Sequence, residues 1–116
     1  MSLISCKKSM EHLRSLGYLV AKVERWNPHA RKRQDLWNFV DILAIRPYTD
    51  CRGDDRVLVQ SCCDDLAKHE AKLMAEPRVL IALRSGFRVE IHAWKKHKHA
   101  RGRILQVSKL TDDGRT

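Results

Sequence analysis

A chain of 116 residues, 43% of them apolar, is long enough for one compact core and too short for two ordinary domains, so residues 1–110 are read as one domain and 111–116 as a frayed end. Its 23 Lys and Arg against 14 Asp and Glu leave a formal charge of +9. That excess points to a polyanion, nucleic acid first, although it also serves solubility or a partner protein. No segment approaches the roughly 20 apolar residues of a membrane span, and MSLISCKKSM has no apolar run that would make a secretory signal, so a cytoplasmic protein without a membrane partner is expected.

Leu3, Cys6, Met10, Leu13 and Leu16 recur on one helical arc, with Gly17 placed to cap its C-terminus. Tyr18 to Trp26 (YLVAKVERW) alternates imperfectly but is rich in strand formers and closes at Asn27-Pro28, which predicts a strand. PHARKRQD carries Arg31, Lys32 and Arg33 with no apolar residue but Ala30, and predicts an exposed cationic loop suited to phosphate. Phe39 to Ile45 (FVDILAI) reads as a central strand covered on both faces, and Pro47 to Asp55 as turn-like. Arg56 to Cys62 (RVLVQSC) repeats the strand pattern. Asp64 or Asp65 then caps a helix running to about Ala75, with Leu66, Ala67, Leu73 and Met74 on one face and Glu76-Pro77 as its stop. Val79 to Leu83 is another short apolar run, Ser85-Gly86 a turn, and Phe87 to Trp94 (FRVEIHAW) a strictly alternating, half-buried strand.

Arg103 to Leu110 alternates as well, and the basic KKHKHARGR lies before it. His97 and His99 there have a spacing that suits a metal, though such tracts are more often solvated basic runs. Cys6, Cys51, Cys62 and Cys63 form no C-x-x-C pairs, which predicts free thiols rather than a zinc site or a disulfide framework. The order of elements predicts an α/β fold, a mixed central sheet with a helix on each face. Trp26, Trp37 and Trp94 flank the basic segments; they suit stacking on an unpaired base or, more in keeping with their size, core packing.

Asp41 is the only charge in FVDILAI, and an ionised carboxylate in a covered strand costs several kcal/mol unless it is compensated. A divalent metal would do so; so would a salt bridge to Arg33 or Lys72, or backbone amides at the strand end. Asp35 lies six residues earlier. In an extended chain the two carboxylates would stand about 20 Å apart, so only a bend makes Asp35 a second ligand, and an Asx-type turn or an ion pair with Arg33 is the plainer duty.

Glu11 on the first helix, Val40-Asp41-Ile42-Leu43 and Leu58-Val59-Gln60-Ser61-Cys62 together form a pattern that resembles the PD-(D/E)XK superfamily of nucleases, Holliday-junction resolvases among them. The string WNPHARKRQDLWNFVDILAI is similar to small bacterial and phage proteins of that superfamily, and the resemblance spans about residues 1 to 95. It implies a restriction endonuclease-like core, αβββαβ with C-terminal strands added, working in the cytoplasm of a bacterial or phage-infected cell. The chain departs from the family pattern at three places. Val40 stands for the proline, Gln60 for the acid and Cys62 for the lysine, with residues 60 and 62 still on one strand face. A glutamine amide oxygen can ligate a metal but lends it less charge than a carboxylate. Some family members supply the acid or lysine from the following helix, which makes Glu70, Lys68 and Lys72 candidates; the two lysines also suit a solvated helix face.

The resemblance thus implies a Mg²⁺- or Mn²⁺-dependent endonuclease or resolvase that hydrolyses phosphodiester bonds in branched or nicked DNA. Asp41 would be the main metal ligand with Gln60 and Asp35, Glu11 would assist, and Glu70, Lys68 and Lys72 would supply the missing groups. Arg31, Lys32, Arg33, Lys95, Lys96, Lys98, Arg101 and Arg103 would hold the DNA backbone. A homodimer is the arrangement suited to cutting both strands. Gln60 and Cys62 favour the competing expectation, a nuclease-fold DNA-binding module without cleavage; an RNA-acting or protein-binding domain is a third.

Overall fold

The computed structural model describes residues 3–47, 56–96 and 101–111. The turn-like stretch expected after Pro47, Cys51, the His97 and His99 pair, Lys98 and residues 112–116 lie outside them. The first helix, α1 (Leu3–Ser15), ends as the sequence predicts. Gly17 adopts φ +91°, its N–H reaches Arg14 O at 3.0 Å, and Tyr18 N reaches Leu13 O at 3.1 Å, a left-handed cap that satisfies two terminal carbonyls.

The strand expected over Tyr18 to Trp26 is broken in two. β1 (Leu19–Lys22) belongs to the main sheet, whereas β2 (Arg25–Asn27) turns away after Val23-Glu24 and pairs with β3 (Lys32–Gln34). The cationic segment is therefore the tip and second strand of a hairpin rather than a loop. Asn27 builds the tip by accepting the amides of His29 at 3.0 Å and Ala30 at 3.2 Å on its Oδ1.

β4 (Ile42–Ile45) and β5 (Arg56–Cys62) follow, then α2 (Leu66–Met74), α3 (Pro77–Arg84), β6 (Arg88–Lys96) and β7 (Arg103–Leu110). The five-stranded sheet runs β1-β4-β5-β6-β7, with β5 and β6 parallel and the other neighbours antiparallel. The fold is thus α/β, a mixed sheet flanked by helices. Helix α2 does stop at Met74, before Glu76-Pro77, but the same pair also starts a third helix. Glu76 is extended and its side chain accepts Arg78 N at 3.1 Å, and a proline in the first turn sacrifices no hydrogen bond. The Val79–Leu83 run lies in that helix, burying Val79 and Ala82 at helical spacing; a five-residue apolar run does not by itself distinguish helix from strand. Asp65 sits at the N-cap of α2 in the left-handed region, and its side chain makes no capping bond there.

The sheet separates two cores. Leu13, Tyr18, Ile42, Ala44, Val57 and Val59 pack beneath α1, while Leu58, Cys62, Leu66, Leu73, Val89 and Ile91 pack beneath α2 and α3. Side chains alternate across β5, so Gln60 faces α2 and α3 while Ser61 faces α1, where its Oγ lies 3.1 Å from Cys6 Sγ. No helix among the described residues is long and apolar enough to cross a membrane.

Candidate metal centre

Asp41 immediately precedes β4. Its N–H donates to Val59 O at 2.8 Å and its carbonyl accepts Val23 N at 2.9 Å, so the backbone is fixed on both sides. The side chain is fully buried. Oδ2 accepts Ser61 N at 2.8 Å and, more weakly, Gln60 Nε2 and Ser61 Oγ, both at 3.4 Å. Oδ1 is buried with no hydrogen-bond partner among the described residues.

Two further carboxylates converge on it. Ligand oxygens of Glu24, Asp35 and Asp41 all lie within 4.8 Å of one another. Asp35 arrives because the chain bends. Asn38 N bonds Asp35 O at 3.1 Å, Phe39 N and Val40 N bond Leu36 O, and Leu36 bridges Val40, folding six residues back on themselves. The bend places Trp37 at φ +52° and Asn38 at φ +67°. A left-handed conformation costs a bulky residue such as tryptophan about 1–2 kcal/mol. The preferred duties of Asp35 are corrected accordingly: Asp35 Oδ2 accepts Gln60 Nε2 at 3.1 Å and lies 4.0 Å from Lys72 Nζ, while Arg33 is engaged elsewhere.

Glu24 was not legible as a site residue. Its side chain is fully buried at the break between β1 and β2, with Oε1 held by Lys22 Nζ and Arg33 Nη1, each at 3.1 Å, and Oε2 buried without a partner among the described residues. The signal was the failed alternation at Val23-Glu24, which marks the kink that turns the carboxylate inward. The cations proposed as structural partners of Asp41 thus bind its neighbours instead, Arg33 at Glu24 and Lys72 at Asp35. Burial, together with the hydrogen bond and charge of Asp35, raises the Asp41 carboxyl from 3.8 to about 8, against the opposing donors of Ser61 and Gln60.

Gln60, only 2% exposed, turns its NH₂ to both Asp35 and Asp41 and its Oε1 to Lys72 Nζ at 3.5 Å. Lys72 comes from α2, and His69, one turn earlier, lines the same cavity with its Nδ1 buried and unpartnered among the described residues. Burial, then the charges of Lys72 and Lys68, lower the His69 pKa. The cavity holds about 840 Å³ and is also lined by Lys32, Arg33, Trp37 and Arg78.

Other candidates lie elsewhere. Glu70 accepts Ser108 Oγ at 2.7 Å and does not line the cavity, so the structure does not bring it to the site as the migrated acid. Ala67 and Met74 are exposed, so the buried face of α2 is Leu66 and Leu73. Lys68 is exposed and does not line the cavity; Glu11 is exposed on α1, across the sheet from Gln60. Cys62 is packed in the core, and burial pushes its thiol up to about 11. Trp26 and Trp37 are 59% and 45% exposed, which corrects the core-packing expectation for both; Trp94 is half-buried and donates to Ser9 Oγ at 2.8 Å.

Of the expected phosphate contacts, Lys32 and Arg33 line the cavity and Arg31 is exposed at the hairpin tip. Lys95 and Lys96 close β6 and Arg101 precedes β7, none of them lining the cavity, and Arg103 is engaged with Trp94 O at 2.9 Å and Asp64 at 3.7 Å. No protein-family model, curated protein or solved structure matches the chain.

Proposed function

We propose that the chain is a divalent-metal-dependent endonuclease that hydrolyses phosphodiester bonds in DNA, with Asp41, Asp35 and Glu24 as the carboxylates that take Mg²⁺ or Mn²⁺. The observation that carries this reading is the orphaned, fully buried Oδ1 of Asp41 beside two further carboxylates. Such an oxygen is costly unless a cation completes it, and the nearest protein cations are engaged with Glu24 and Asp35. An all-oxygen donor set suits a hard ion of this kind.

Bound there, the ion would activate water and neutralise charge on the phosphate. Gln60 joins the set by turning its amide so that Oε1 replaces the NH₂. Lys72 takes the place that the resemblance assigns to the family lysine, steadying charge on the phosphate from α2 rather than from β5. His69 lines the same cavity one turn before Lys72, on the wall that α2 supplies. Lys32 and Arg33 hold backbone phosphates beside it. In this reading the sheet and its helices are a restriction endonuclease-like core whose missing acid and lysine come from outside the usual strand.

The test is incubation of the purified protein with branched, nicked and linear DNA in Mg²⁺ or Mn²⁺, beside Asp41→Ala and Asp35→Asn. Cleavage should fall by at least about a hundredfold in either variant; equal behaviour of all three proteins removes the assignment. Gln60 favours a second reading, a nuclease-fold module that binds DNA without cutting it. Its amide donates to both carboxylates and so offsets part of what an ion would. That reading predicts binding with no strand loss in either metal.

A further inference from the structure

A second hollow adjoins the acidic cavity. Trp37, Arg78, Ile81, Ala82, Ser85 and Phe87 line a space of about 330 Å³, and Trp37 with Arg78 also lines the acidic cavity, so the two share a wall. Their chemistry differs sharply. No acid lines the hollow, Ser85 Oγ is bonded to Ile81 O at 2.7 Å within its own helix, and Arg78 forks onto Glu76 at 3.0 and 2.9 Å. What remains to meet a ligand is apolar and aromatic.

Trp37 is held at this wall against its backbone preference. Two successive left-handed residues suit Gly, Asn or Asp; Asn38 conforms, and Trp37 does not. The turn is tied in place, because Asn38 Nδ2 donates to Glu76 Oε1 at 3.4 Å, the carboxylate that also grips Arg78. A strained tryptophan that stays 45% exposed is poorly explained by packing and well explained by a ligand.

The geometry points to this hollow as the seat of an unpaired nucleobase stacked on the Trp37 indole, with the adjoining phosphate among Lys32, Arg33 and Lys72 of the acidic cavity. The inference rests on the nuclease reading of that cavity and names its substrate: DNA with an unpaired base at the point of reaction, not a continuous duplex. Charge selects a base over other apolar occupants. An aliphatic side chain would gain nothing from the cations next door, whereas a base is a flat π-surface tethered to a phosphate. A paired duplex keeps its base faces stacked and cannot fill the hollow without extruding a nucleotide.

The test measures binding in EDTA, where no cleavage intervenes, by fluorescence anisotropy of a labelled oligothymidylate and of a blunt duplex with the same number of phosphates. Trp37→Ala should weaken oligothymidylate binding about tenfold, the loss that one base–aromatic stack carries, while Trp37→Phe keeps most of it and duplex binding stays unchanged. Ile81→Glu should give the same selective loss. Ile81 is 64% exposed on α3, so this variant blocks the hollow without disturbing the turn. Unchanged oligothymidylate affinity in both variants, or an equal loss on both DNAs, overturns the inference. If the wild type cuts DNA in Mn²⁺ and Trp37→Ala binds single strands normally, the nuclease reading stands and the base seat falls. Selective loss without any cutting keeps the base seat and removes the nuclease.

Discussion

Asp41 concentrates the energetics of the candidate site in one carboxyl. With its pKa raised from 3.8 to about 8 by burial and by Asp35, it favours the folded state when protonated. That contribution is fully present below the unfolded value and is lost as pH rises through the folded one, so the metal-free protein should weaken steadily across that window. On the proposed function, a divalent cation would displace the proton and reverse the loss. Asp41→Asn keeps an acceptor for Ser61 N and offers an NH₂ to the neighbouring carboxylates. At about pH 8 in EDTA it should therefore be more stable than wild type by about 1–3 kcal/mol, with a flatter pH profile and no stabilisation by Mn²⁺. Thermal melts at acidic and mildly alkaline pH, with EDTA or Mn²⁺, decide this. A variant less stable than wild type in alkaline EDTA would mean that the carboxylate is already compensated by the protein.

The elements divide into those whose signals are local and those that depend on the rest of the chain. The Gly17 cap, the apolar β5 and the alternating β6 were legible because cap chemistry and side-chain periodicity lie within each segment. Glu24 and Asp35 were not legible as a pair. Their meeting requires β1 to break, the β2–β3 hairpin to fold out and the chain between Asp35 and Asp41 to double back, and only tertiary packing fixes all three. Asp41 stood out because a charge in an apolar run is conspicuous wherever it falls, and Glu70 misled because its partner, Ser108, lies 38 residues away. Helix α2 delivers Lys72, a candidate named through the resemblance, to the cavity, and the consequence is measurable. Lys72→Met removes a cation 4.0 Å from Asp35 and 3.5 Å from Gln60. Mn²⁺ should then bind a few-fold more tightly, since a repelling charge is gone, while strand cutting falls on the order of a hundredfold. Calorimetry and single-turnover cleavage separate the two effects; weaker Mn²⁺ binding would show that Lys72 shapes the site instead of acting on the phosphate.

Among the described residues the cations fall on both faces of the sheet. The β2–β3 hairpin carries Arg31, Lys32 and Arg33 beside the acidic cavity, on the α2 side of the sheet. Alternation along β6 sends Lys96 to the α1 face with His92 and Trp94. There the polar groups are mutually satisfied: His92 links Ser9 Oγ at 3.1 Å to Glu90 Oε1 at 3.0 Å, and Trp94 shares Ser9. Burial pushes the Glu90 carboxyl up, but the bond and charge of His92, with Arg88, more than offset it and hold the group below its ordinary value. That closed network is structural, and on the proposed function the hairpin side is the one expected to meet DNA. Each lost phosphate contact lowers the dependence of log K on log salt by about one. Arg31→Gln with Lys32→Gln should therefore reduce the slope by about two, whereas Lys96→Gln leaves it unchanged. Duplex binding measured over a salt series decides the matter, because an equal reduction from Lys96→Gln would mean that the charge acts through the general field of the protein and that no face is preferred.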